Sequence, residues 1–120
     1  MKNVTLVVGA SANPNRYSNI AIKRLLDKEL PVAALGIKKG KVVTITIDDK
    51  KQDYKNIDTV TLYLNPKNQE EFYNYIIGLK PRRVIFNPGS ENDEFVKLLE
   101  ENNIEALIAC TLVMLSINQY

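Results

Sequence analysis

A chain of 120 residues, 45% apolar and 25% charged, is one domain by size and long enough to bury roughly two thirds of its unfolded surface without a staple. Its net charge of +2 marks neither a nucleic-acid nor a membrane surface, so any anion-binding character has to be local. With no histidine and one cysteine, Cys110, the sequence excludes imidazole acid–base chemistry, Ser-His and Cys-His nucleophile pairs and an intrachain disulfide, and a zinc site would be left an unusual, almost all-carboxylate ligand set.

Met1-Lys2-Asn3 leads straight into a strand pattern with no signal-peptide core, which predicts a cytoplasmic protein. Val4 to Val8 is a β-branched run closed by Gly9, the form of a fully buried parallel strand. Ser18 then predicts an N-cap, and Ile22, Leu25, Leu26 and Leu30 recur on one helix face until Pro31 forbids continuation. Val32 to Leu35 reads as a second strand ending at Gly36. Val42 to Ile47 is extended in pattern but flanked by Lys38-Lys39-Gly40-Lys41 and Asp48-Asp49-Lys50-Lys51, which suits a short edge strand or hairpin arm.

Asp58 to Leu64 is a clearer strand, after which Asn65 predicts a cap and Pro66 the first helical position. Phe72, Tyr75, Ile76 and Leu79 form that helix's apolar stripe, which ends before Pro81. Arg83 to Phe86 is the next strand; it runs into Asn87-Pro88-Gly89-Ser90, where Ser90 predicts the cap of a helix burying Phe95, Leu98 and Leu99. Ile104 to Ala109 supplies a last strand, and the apolar stretch to Ile117, broken by Glu105, Cys110, Thr111 and Ser116, is too short to span a bilayer. Residues 1–120 therefore read as a single α/β domain, a Rossmann-like doubly wound parallel sheet of about five strands with helices on both faces.

In such a sheet ligands sit at the carboxyl ends of the strands where the order reverses, expected here between the first strand and Arg83–Phe86. That juxtaposes the loop Gly9 to Asn19 with the loop Asn87 to Ser90, each leading to a helix N-terminus that favours an anion. Gly9 is the only glycine of the first loop, so the G-x-G-x-x-G spacing of ordinary NAD or FAD sites is absent. Ser11, Asn13, Ser18 and Asn19 offer neutral hydrogen-bonding groups in its place, and Arg16 a fork-shaped cation suited to phosphate. The plainer alternative is a tight turn at Gly9, a turn started by Asn13-Pro14 and a solvated Arg16. The adjacent pairs Asp48-Asp49, Glu70-Glu71 and Glu100-Glu101 diverge from one another and read as solvated faces. Tyr63 and Asn65, at the end of their strand, are further candidates for the pocket wall.

Val7-Val8-Gly9-Ala10-Ser11 followed by Asn13-Pro14, Arg16 and Ser18-Asn19 resembles the opening signature of the small stand-alone members of the CoA-binding domain family, relatives of the nucleotide-binding domain of the succinyl-CoA synthetase alpha subunit. The resemblance covers nearly the whole chain, with weaker matches at Asp58 to Leu64, at Asn87-Pro88-Gly89 with Glu91 to Glu94 after it, and at Cys110. It implies a coenzyme A site in which Gly9, Ala10 and Ser11 approach the pyrophosphate through backbone, Asn13, Arg16, Ser18 and Asn19 add polar contacts, and Lys38 lies where the ribose phosphate and adenine are expected. The family's Asn-Pro-Lys turn is here Gly36-Ile37-Lys38, and its Arg-Cys pair is Ala109-Cys110. Cys110 reads either as a small buried hydrophobe or as a thiol able to form a mixed disulfide with CoA.

The expected function is a cytoplasmic CoA or acyl-CoA binding protein without catalytic residues or a metal, since ligases of the related type pass phosphoryl groups through a histidine. The alternative is an NAD(P)-binding module, which ordinarily wants more glycine and an acidic residue after the second strand; a flavodoxin-like regulatory domain would want acidic strand ends. No nucleic-acid or membrane partner is expected, and Leu112 to Ile117 suits either a core cover or a homodimer surface.

Overall fold

The computed structural model describes residues 2–120. The first strand, β1 (Val4–Val8), is buried on both faces, and its alternation divides the core: Leu6 and Val8 point to one side, Val7 to the other. β1 pairs in parallel with β2 (Val32–Leu35) on one flank and β5 (Ile57–Leu62) on the other. Outside β2 lies a hairpin of β3 (Gly40–Val42) and β4 (Ile45–Asp48), and outside β5 lie β6 (Arg83–Phe86) and β7 (Glu105–Ile108). The sheet order is β3-β4-β2-β1-β5-β6-β7, parallel throughout except that β3 runs antiparallel to β4.

Helices cover both faces. Ile22 and Leu25 of α1 (Tyr17–Asp27) and Leu115 of α5 (Thr111–Ser116) pack with Val7, Ala34 and Ile47. On the other side Ile76 of α3 (Tyr73–Leu79) and Phe95 and Leu99 of α4 (Asp93–Glu101) pack with Leu6, Val8, Val60, Leu62, Val84 and Phe86. Phe95 stacks on Tyr73 at 4.4 Å and meets Phe86 edge-on at 5.7 Å. Each fully buried large side chain contributes about 1.5–3 kcal/mol of transfer free energy, so two such clusters hold the sheet without help from the ion pairs found among the described residues, Lys55–Asp53 and Arg82–Asp58, both at least partly solvated.

The α/β reading holds, but the strand count was too low: the sheet has seven strands. Val42 to Ile47 is not one arm; it is broken by a two-residue turn, Val43-Thr44, with Val42 opposite Ile45. Val43 turns at φ 56°, a conformation a β-branched residue rarely adopts, so the turn carries none of the usual Gly or Asn signal. The order reverses between β1 and β5, not between β1 and Arg83–Phe86, which seats the loop after Leu62 directly beside the loop after Val8.

The helix ends differ too. α1 has Arg16 in the N-cap position, and Ser18 is a buried residue of its first turn. Asn92, not Ser90, caps α4, its Oδ1 accepting the Phe95 amide at 3.2 Å, while the Ser90 hydroxyl donates back to the Asn87 carbonyl. Asn65 does cap α2 (Pro66–Gln69), with proline at the first helical position. A tight turn over Glu70–Phe72 then separates α2 from α3, so the expected single stripe is split.

Candidate functional site

The carboxyl ends of β1, β2, β5 and β6 open into a cleft of about 1000 Å³. One wall is the β1–α1 loop, from Gly9 to Ser18; Ile37, Lys38 and Lys39 after β2 form an end; Tyr63, Leu64, Asn65, Asn68 and Pro88 to Ser90 form the facing wall. A smaller cavity of about 460 Å³ continues from it, sharing Gly9, Ile37, Leu64 and Asn68 and adding Leu35, Gly36, Phe72 and the mixed charges of Asp49, Lys50, Lys51 and Glu71.

Chain geometry builds the first wall. Gly9 (φ +93°) and Ala10 both donate their amides to the Leu35 carbonyl, at 2.9 and 3.0 Å, so these two N–H groups hold the loop to β2 and do not face a ligand. A side chain on Gly9 would meet the Tyr63 carbonyl carbon at 2.9 Å, and one on Gly36 would meet the Ala10 carbonyl oxygen at 2.3 Å. Beyond Ala10 the chain folds on itself: the Asn13 amide donates to Ser11 Oγ, the Asn15 amide to Asn13 Oδ1 and the Arg16 amide to the Asn13 carbonyl. Asn19 braces the loop from behind, its Nδ2 donating to the Ser11 carbonyl at 3.0 Å while its Oδ1 has no partner among the described residues.

At the end of this loop α1 begins with no side-chain cap and no acidic residue in its first turn. The Asn19 and Ile20 amides donate to the Arg16 carbonyl, which leaves the Tyr17 and Ser18 amides and the positive dipole end able to meet an anion. Arg16, Lys38 and Lys39 line the cleft, and no Asp or Glu does. Tyr17 and Ile37, 71% and 82% exposed, present apolar surface at its rim.

The facing wall is saturated instead. Asn87 is buried: its Nδ2 donates to Thr61 Oγ1 at 2.7 Å and to the Leu62 carbonyl at 2.9 Å, and its Oδ1 accepts the Thr111 amide at 2.8 Å. Gly89 (φ +95°) donates its amide to the Glu91 carboxylate at 2.8 Å. Tyr63 contributes its body to the wall; its hydroxyl is buried with no hydrogen-bond partner among the described residues, and burial pushes that phenol up to about 12, the nearby Thr61 and Thr111 hydroxyls pulling the other way.

Of the residues singled out in the sequence, Gly9, Ala10, Ser11, Asn13, Arg16, Ser18, Lys38, Pro88 and Gly89 line the cleft, as do Tyr63 and Asn65. Asn19 and Asn87 sit behind its walls and hold them up. Cys110 is half-buried in the N-cap position of α5 and does not line the cleft. Tyr17, Ile37 and Ser90 line the cleft as members of the loops and turn that the sequence places there, whereas sequence reasoning missed Lys39, Leu64 and Asn68 as lining residues. The acidic pairs stay apart from the main cleft, though Asp49 and Glu71 reach the smaller cavity.

A mostly parallel α/β sheet with a cationic, carboxylate-free cleft at an uncapped helix N-terminus has the make-up of a binding domain suited to a small anionic molecule. The chain belongs to the CoA binding domain family, whose model matches residues 3–116. Among solved structures it is similar to a crystal structure of an uncharacterized protein, at 48% identity over 100% of this chain and 99% of that one, with a TM-score of 0.96. It is also similar to a hypothetical protein from Pyrococcus horikoshii OT3, at 27% identity over 93% of this chain and 80% of that one, with a TM-score of 0.83. The dinucleotide-forming acetyl-coenzyme A synthetase 1 of Ca. Korarchaeum cryptofilum shares the fold over 91% of this chain and 26% of its own length, at 12% identity and a TM-score of 0.74. A search of the curated proteins found no match.

Proposed function

We propose that this protein binds coenzyme A or an acyl-CoA in the cleft and carries out no chemistry on it. The observation that carries this reading is the uncapped start of α1, open to a cleft lined by Arg16, Lys38 and Lys39 without a carboxylate. In the reading, the pyrophosphate lies at the first turn of α1 beside Arg16 and Ser11, with the N–H groups of Tyr17 and Ser18 as donors, and Lys38 or Lys39 meets the ribose phosphate. The volume is at the upper end of ordinary ligand clefts (~300–1,000 Å³), which suits a long ligand better than a mononucleotide. The adenosine half extends toward the smaller cavity, whose Leu35, Ile37, Leu64 and Phe72 offer apolar surface.

The six parallel strands, taken in chain order, lie 3-2-1-4-5-6 across the sheet, which supports the Rossmann-like reading. A cytoplasmic location is part of the same reading, and among the described residues no helix is long and apolar enough to cross a membrane. Val113 and Ile117 are exposed on α5 and at its end while Leu115 is buried, so the terminal segment offers a surface for a second copy, which a sedimentation measurement decides.

Thermal unfolding with CoA, acetyl-CoA, NAD and NADP tests the assignment. A ligand at one hundred times its Kd stabilises by about 2.7 kcal/mol, and CoA or acetyl-CoA is expected to raise Tm where NAD and NADP do not. Preferential stabilisation by NAD or NADP would transfer the cleft to a nicotinamide dinucleotide.

A further inference from the structure

We propose that Gln69 is the positioning residue of the cleft, fixing the gap between the two loops that make its saturated wall. The inference rests on the cleft being the ligand site. Gln69 ends α2 and is completely buried. Its Nε2 donates to the Leu64 carbonyl at 2.8 Å and to the Ser90 carbonyl at 2.7 Å, and its Oε1 accepts from Asn92 Nδ2 at 3.0 Å. Leu64 and Ser90 are both lining residues, one from the loop after β5 and one from the loop after β6. Asn92 caps α4 and also donates to the Tyr73 hydroxyl at 2.8 Å, so the same amide fixes where α4 begins.

β5 and β6 stay in register only as far as Leu62 opposite Phe86. Past that pair the two chains separate to form the wall, and side-chain amides span them: Asn87 reaches the Leu62 carbonyl at the base, and Gln69 reaches both loops further out. Only a primary amide does this, because the position needs two donors for two carbonyls and an acceptor for Asn92. A residue present merely to fill the space would be apolar, since burying an amide is unfavourable unless its bonds are made. Glutamate has the same shape but when ionised sets one carboxylate oxygen, an acceptor, against both carbonyl oxygens, its other oxygen keeping the bond from Asn92.

The test uses Gln69→Leu and Gln69→Glu in the full chain, read by amide hydrogen exchange and by CoA titration. About tenfold faster exchange is expected in residues 64–68 and 88–91, with β1 and β6 unchanged. CoA affinity is expected to fall about tenfold, the equivalent of one to two lost hydrogen bonds. In Gln69→Glu, lowering the pH protonates the carboxyl and restores one donor, so affinity should recover relative to wild type at the same pH; exchange in β1 and β6 that stays at the wild-type rate at both pH values separates this from a general loss of fold, which would move them too. Wild-type affinity or unchanged loop exchange in a folded variant overturns the proposal; if Gln69→Leu does not fold, Gln69→Glu supplies both readouts. If wild-type protein fails to bind CoA while exchange still rises in these two segments, the CoA reading falls and the positioning role of Gln69 stands.

Discussion

The molecule contains two Asn-Pro loops that look alike in sequence and behave in opposite ways. Asn13-Pro14 and Asn87-Pro88 each follow a buried strand of the central sheet and each lead to a helix. In the first, the helix starts bare, with no side-chain cap and no acid in its first turn. In the second, Asn92 caps α4, Asp93 and Glu94 complement its dipole, and the Glu91 carboxylate takes the Gly89 amide. A helix N-terminus can take a ligand only where the chain does not fill it, and here one is left open and the other closed.

The backbone supplies the largest expected contrast between them. The Ala10 carbonyl presses on Gly36, leaving 2.3 Å to a would-be Cβ, whereas a Cβ on Gly89 would meet nothing within 4 Å and would carry only the strain of φ +95°. Gly36→Ala should therefore cost about 3 kcal/mol and push the Ala10–Ser11 segment off β2. Gly89→Ala should cost about 1 kcal/mol. Urea unfolding of the pair measures both, and the reverse order would mean that the open loop is not the tightly built one.

That contact also shows where the sequence stopped being legible. The buried strands, the Asn65-Pro66 helix start and the Gly9–Ser18 wall could be read because each depends on neighbours in the chain: β-branched runs, a cap with proline, a glycine at a turn. Gly36 departs from the expected Asn-Pro-Lys turn, yet its lack of a side chain answers to Ala10, 26 positions away in sequence. Ser90 has the chemistry of a cap, but Gln69 and Asn92, brought together only by the packing of α2 against the β6–α4 loop, displace it from that role. The edge position and hairpin character of Val42 to Ile47 were legible, but its division into two arms was not, because Val43 takes a turn conformation that local preference argues against. Asn19 offers polar groups to the first loop and Asn87 opens the second, but the fold spends the Asn19 amide nitrogen on the Ser11 carbonyl and both ends of the Asn87 amide on its own hydroxyl, carbonyl and amide groups.

On the open loop, Arg16→Ala should reduce CoA affinity about tenfold, the lower end of a lost charge-assisted hydrogen bond, and should flatten the salt dependence of binding. Arg16 is exposed and among the described residues no hydrogen bond of its side chain holds it, so stability should stay within about 0.5 kcal/mol. Lys97→Ala, an exposed cation on α4, is the matched control and should leave affinity unchanged. Equal losses from the two variants would reduce the effect to general attraction by surface charge. Loss from Arg16→Ala alone places the phosphate at α1.

The closed loop gives the smallest and most specific effect. Glu91 is exposed, and its carboxylate stands on the amide of a residue that lines the cleft. An anionic ligand entering beside it meets a like charge through solvent, a repulsion worth only a few tenths of a kcal/mol at physiological salt. Glu91→Gln keeps an oxygen to accept the Gly89 amide and removes the charge, so the loop should hold its shape and Tm should not move. CoA affinity should rise about twofold at low salt, with the gain disappearing as salt is added. Titrations at two ionic strengths read both parts of that expectation. A gain that persists at high salt would mean that the amide itself had been freed for the ligand, and the second Asn-Pro loop would then be a latent copy of the first instead of its closed counterpart.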